Sequence, residues 1–198
     1  GDTTMGLFDK FKKRKTDNDT KSHEYRKNLT TGSGMWALWN YEAYQNVNDY
    51  EKREPLFCED EDIKKQIEKK VFVPIYIFED GCRAFSLKID CELSEREQKY
   101  VCIKSEEYLF YSNGKSVLSG IDSINTNVSE EEAIIFDLPK GYYEVSIYLL
   151  SWDEEPEAYL DNGNINPNAL SDFVVLLKSN ADEKKKYRQK INTFLEND

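Results

Sequence analysis

From Gly34 onward the apolar residues come in short runs separated by turn-forming residues, a pattern that few long helices satisfy and many short strands do. Residues 35–39 (Met-Trp-Ala-Leu-Trp), 71–78 and 82–89 are the clearest runs. In the last of these Phe85, Leu87 and Ile89 share a face, as a half-buried strand requires. Asp80-Gly81 suits a tight hairpin between the second and third runs. Asn113-Gly114 offers the same positive-φ chemistry between 108–111 and 116–118. Further strands are predicted at 100–103, 133–136, 142–151 and 173–177, with Pro139-Lys140-Gly141 breaking the chain between the second and third of these.

The predicted fold class is therefore all-β: an antiparallel β-sandwich, jelly-roll-like, with a C-terminal helix and a disordered basic N-terminal tail. A minor helix is expected over 61–70, where Ile63 and Ile67 sit four apart. The C-terminal helix follows from Tyr187, Ile191, Phe194 and Leu195, an apolar stripe at helical spacing that would pack on the domain edge. The expected boundaries are a flexible tail at 1–30, the sandwich at 31–180 and the helix at 181–198. A 198-residue chain buries roughly 70% of its unfolded surface, so cross-links are not needed to stabilise it.

Charge narrows the partners. The chain has 27 basic and 38 acidic residues, for a net charge of −11, and eight of the bases fall in the first 27 residues against five acids. The remainder is more acidic still, which disfavours phosphate-backbone binding and excludes general nucleic-acid association. Acids cluster at 59–62, 130–132 and 153–157, an arrangement able to steer a basic protein over long range. In the tail, Leu7, Phe8 and Phe11 precede a basic run and offer at most a short membrane-surface anchor. Lys10 occupies the position where a myristoylation signal from Gly6 needs Ser or Thr. The sequence leaves open whether Met5 is an alternative start.

Cys58, Cys82, Cys91 and Cys102 show no C-x-x-C spacing, and the single histidine, His23, lies far from all of them in sequence. No zinc site and no cofactor is expected. Cys82, Cys91 and Cys102 read as small, reduced core residues, and with no apolar run approaching a membrane span the expected location is the cytoplasm.

The sequence carries no phosphate loop and no nucleophile elbow. Glu107, Glu144, Asp153 and Glu157 are available as paired carboxylates, but 38 acids make some such pair inevitable. Residues 161–168 (Asp-Asn-Gly-Asn-Ile-Asn-Pro-Asn) are rich in oxygen donors, yet their spacing departs from a calcium loop and fits a turn-rich connection better. The expected protein is not an enzyme.

Residues 135–148, Ile-Phe-Asp-Leu-Pro-Lys-Gly-Tyr-Tyr-Glu-Val-Ser-Ile-Tyr, followed by Ser151-Trp152-Asp153-Glu154, describe a strand that ends in Pro-x-Gly, turns and continues as an alternating strand. This L-P-x-G-x-Y-x-V-x-I-Y pattern resembles the bacterial competence protein J family, inhibitors of a DNA-uptake nuclease, and related β-sandwich immunity proteins of polymorphic toxin systems. The resemblance covers about a fifth of the chain and implies a non-catalytic inhibitor that occludes a nuclease or toxin. The partner surface expected from it and from the acidic balance is Trp152, Asp153, Glu154, Glu155 and Glu157, facing a basic protein. The alternatives are a carbohydrate- or calcium-binding module centred on Trp152 and 161–168, and a membrane-surface adaptor anchored by the basic tail.

Overall fold

The computed structural model describes residues 23–195. The basic run, the Leu7, Phe8 and Phe11 stripe and Met5 lie outside the described residues, as does the end of the expected C-terminal helix. The described residues form ten strands in two sheets. They are β1 His23–Thr31, β2 Met35–Asn40, β3 Phe72–Tyr76, β4 Gly81–Ile89, β5 Val101–Lys104, β6 Tyr108–Ser112, β7 Lys115–Gly120, β8 Ala133–Asp137, β9 Gly141–Leu150 and β10 Phe173–Ser179. Three helices join them: α1 Tyr50–Phe57, α2 Asp60–Glu68 and α3 Glu95–Lys99.

One sheet runs β1-β4-β10-β9-β5, with β6 also on β9, and the other runs β3-β2-β7-β8. All pairs are antiparallel except β4 with β10. The apolar layer between the sheets holds Trp36, Trp39, Phe72, Phe85, Tyr108, Phe110 and Phe173, all fully buried. The alternation read from the sequence is there: Phe85, Leu87 and Ile89 on β4, and Tyr143, Val145 and Ile147 on β9, point inward. Buried indoles need acceptors, and Trp36 Nε1 donates to the Leu29 carbonyl at 3.0 Å while Trp39 Nε1 donates to Ser119 Oγ at 2.9 Å. The minor helix forms as α2 and buries Ile63 and Ile67.

Four expectations need correction. First, residues 23–30 are not tail but most of β1, paired along its length with β4, so the sandwich begins before residue 31. Second, Asp80-Gly81 and Asn113-Gly114 do not close hairpins, because β3 and β4, like β6 and β7, lie in different sheets. A tight turn reverses the chain without choosing which layer the next strand joins. Third, Cys82 and Cys102 are exposed and Cys91 is half-buried, because the inward positions of β4 are the odd-numbered ones and β5 is an edge strand.

The fourth correction concerns the C-terminal helix, which does not form over 182–195. That segment is an irregular strap whose polar groups bond across the domain rather than along a helix. Tyr108 Oη donates to the Lys190 carbonyl at 2.8 Å, and the buried Arg188 guanidinium donates to the carbonyls of Asn192 and Leu195 and to Tyr108 Oη. Carbonyls that a helix would use are thus taken by side chains, Tyr108 from the sheet and Arg188 from the strap itself, which outweigh local propensity. Thr193, fully buried, seals the outer edge of β3: its Oγ1 accepts from Tyr76 N at 2.8 Å and donates to the Pro74 carbonyl at 2.9 Å. Ile191 is buried, and Phe194 stacks on Phe173 at 6.5 Å. Thr193→Val keeps the shape and removes both bonds, so it should destabilise the protein by about 1–3 kcal/mol through the unpaired edge groups. Urea denaturation measures this, and an unchanged midpoint would mean that the strap does not hold the edge.

Candidate functional site

Strand register puts the end of β1, the starts of β2, β4 and β10, and the ends of β3, β7 and β9 at one end of the sandwich. The connections there are 32–34, 77–80, 121–132 and the long segment 151–172. Trp152 follows β9 directly and opens a single 3-10 turn, Trp152–Glu154.

Asp172 fixes that segment to the sheet. Its Oδ1 accepts from Trp152 Nε1 at 2.8 Å, its Oδ2 accepts from Ala84 N at 2.7 Å, and its carbonyl accepts from Leu150 N at 2.9 Å. Two arginines add tethers. Arg96 of α3 holds the Glu155 carboxylate and the Asn168 carbonyl, and Arg26 of β1 donates to the Ala169 carbonyl. Between these anchors the chain folds back on itself, with a bridge between Tyr159 and Ile165 and with Asn166 Nδ2 donating to the Glu157 carbonyl at 2.9 Å. A 22-residue connection is thereby presented as a fixed shape.

The five residues expected to contact a partner therefore divide. Trp152 is half-buried, with its ring 5.6 Å from that of Tyr159. Glu155 is a tether rather than a free charge: hydrogen bonding to the Arg96 guanidinium holds its carboxyl below the usual carboxylate range. Asp153, Glu154 and Glu157 are exposed, and no hydrogen bond or ion pair to the described residues engages their carboxylates. Beside them Tyr159, Leu160 and Ile165 are large apolar side chains left open to solvent. Sequence reading missed Ile165 because 161–168 read only as a polar turn, and Tyr159 and Leu160 because they lie in no strand or helix pattern.

Phe78 was also missed. It sits in the short crossing between β3 and β4, 61% exposed, packed on the Tyr76 ring at 4.0 Å and held at φ +60°. A bulky residue in the left-handed region is strained, and an aromatic kept there in solvent gains nothing from burial. In sequence Phe78 closes the 71–78 run, whereas the strand ends at Tyr76.

Trp152, Arg83 and Asp172 stand between two depressions. One, of about 480 Å³, is shared with Ile77, Glu79, Asp153 and Tyr159; the other, of about 580 Å³, is shared with Arg26, Asn28, Ile165 and Asn166. Of the carboxylates considered for catalysis, Glu107 and Glu144 lie elsewhere, bonded to Lys104 and Lys185, so the four do not share a cleft. Among the described residues no group of three or more His, Cys, Asp or Glu side chains is placed to hold a metal ion, and no helix is long and apolar enough to cross a membrane.

No family model matches the sequence. No curated protein matches it. The structure is similar to crocagin biosynthetic gene J, at a TM-score of 0.50 and 12% identity over 81% of this chain and 98% of that one. It was also compared with ComJ from Bacillus subtilis, described as an inhibitor of the DNA degrading activity of NucA. That match has a TM-score of 0.48 and 12% identity, covering 80% of this chain and 98% of ComJ. At such identity the likeness concerns the fold.

The Arg96–Glu155 tether has a pH signature. A carboxyl lowered in the folded state contributes stability above its unfolded value, about 4.3, and that contribution disappears as pH falls through the folded value. Glu155→Gln should therefore be less stable than the parent chain at pH 7, with the two stabilities converging in acid. Denaturation at a series of pH values tests this, and a constant gap down to acid pH would contradict it.

Proposed function

We propose that this chain is a non-enzymatic protein-binding domain, an immunity or nuclease-inhibitor protein, that docks a basic nuclease or toxin on the end of the sandwich carrying residues 152–165. The observation that carries the reading is the pairing of exposed apolar side chains, Tyr159, Leu160 and Ile165, with the free carboxylates of Asp153, Glu154 and Glu157 on a loop fixed at both ends. Aromatic and aliphatic anchors inside a charged rim are what protein interfaces use for affinity and for steering. A preset loop spares part of the ordering cost of association. The resemblance of residues 135–154 to nuclease inhibitors and the acidic balance of the whole chain support the same direction.

Affinity capture from lysate of the source cell, at low and high salt, identifies the partner. Reversal of Asp153, Glu154 and Glu157 to Lys should then slow association about tenfold or more at low salt and much less at high salt. Tyr159→Ala should instead speed dissociation. Unaltered binding by both variants would remove this surface from consideration. A second reading, a glycan stacked on Trp152 and Tyr159 in the 480 Å³ cleft, draws on the same aromatic pair. It predicts a raised melting temperature with a member of a glycan panel, which the protein-docking reading does not.

A further inference from the structure

A separate cleft, of about 350 Å³, opens where the junction of α1 and α2 leans over the ends of β2, β3 and β7. Its floor is apolar, made by the buried side chains of Met35, Ile63 and Ile121. Aromatic rings form its walls, with Phe57 and Tyr76 half-buried and Tyr50 exposed at the mouth. Glu54, Asp60 and Asp122 line it against a single cation, Arg53, which lies over the Tyr50 ring at 5.7 Å. Asp122 is set in place by Thr31 Oγ1 at 2.9 Å and Gly32 N at 2.8 Å, each bonded to a different oxygen.

The surroundings deepen the negative charge. From Asp49 to Asp62 the chain carries seven acids and two bases. Both weakly acidic groups at the mouth respond to it. A hydrogen bond to Glu54 and its charge push the Tyr50 hydroxyl up, and desolvation followed by the charges of Glu59, Glu54 and Asp62 pushes the Cys58 thiol up. The volume is near the lower end for ligand pockets, which suits one long side chain rather than a helix or a strand.

We infer that this cleft receives an arginine side chain from another polypeptide, its methylene stem on Met35, Ile63 and Ile121, its guanidinium between the aromatic rings and the carboxylates of Glu54, Asp60 and Asp122. Arginine is preferred over lysine because a planar, weakly hydrated guanidinium stacks on rings and meets carboxylates in a fork, whereas an ammonium does neither as well. A long cationic side chain also buries its stem while keeping its head among polar groups. The inference stands on this cleft alone and does not rest on the reading of the 152–165 loop.

The test is an NMR titration of the full, isotope-labelled chain with a blocked Gly-Arg-Gly peptide, and with the same peptide carrying citrulline, the neutral isostere of arginine. The arginine peptide should shift the signals of Ser33, Cys58 and Asp122 and bind at least about fivefold more tightly than the citrulline peptide. Glu54→Gln with Asp60→Asn, both exposed and outside the core, should erase that preference while leaving the rest of the spectrum in place. Three results would overturn the proposal: equal binding of the two peptides, arginine-dependent shifts confined to other parts of the chain, or shifts of these signals on deletion of residues 1–22, which would make this chain's own basic segment the occupant.

Discussion

Wherever two strands are joined by a very short link between β1 and β4, or between β6 and β9, the chain changes sheets. Crossing an apolar layer in two to four residues requires strand ends to lie almost on top of one another. The β1 and β7 ends show how close that approach is: a Cβ at Gly120 would collide with the Thr30 carbonyl oxygen, so only glycine fits. With the short links spent on crossings, the long segments 41–71, 121–132 and 151–172 connect strands within a sheet. Two of these three long segments fall at one end, with the α1–α2 junction of the third leaning over it, and that end collects the exposed aromatics and acids.

Rigidity at that end comes from side chains rather than from regular structure. Asp172 uses both carboxylate oxygens and its carbonyl, and Arg96 and Arg26 reach from α3 and β1 to the same segment. A loop held this way can carry exposed apolar side chains without collapsing onto the sheet. The cost is that charges such as Glu155, which a composition count treats as free, are already spent inside the molecule.

Nine of the ten described strands were readable because each needed only a local pattern, whereas β1, polar along most of its length, read as tail. Phe85, Leu87 and Ile89 alternate on β4, and Tyr143, Val145 and Ile147 alternate on β9, with the periodicity that burial on one face imposes. Layer assignment was not readable, since Asp80-Gly81 and Asn113-Gly114 read the same whether the next strand pairs or crosses. The strap misled for a related reason. Tyr187, Ile191 and Phe194 have helical spacing, but Arg188 also bonds Tyr108 and Thr193 bonds the edge of β3, residues about 80 to 120 positions away that leave no trace in local sequence. Of the site, Trp152 and the acids were legible as a cluster. Their division into anchors and free charges depended on Asp172 and Arg96, which only the fold brings near.

Thr193 follows all ten strands of the described residues, so the edge of β3 is sealed by a segment that comes after both sheets in the chain. Without the strap the two sheets would be complete, but the Tyr76 N–H and the Pro74 carbonyl on the outer edge of β3 would be bare. Protection of the sheet from edge-to-edge association thus rests on the strap, and a chain cut before Thr193 would be a form of this protein prone to self-association.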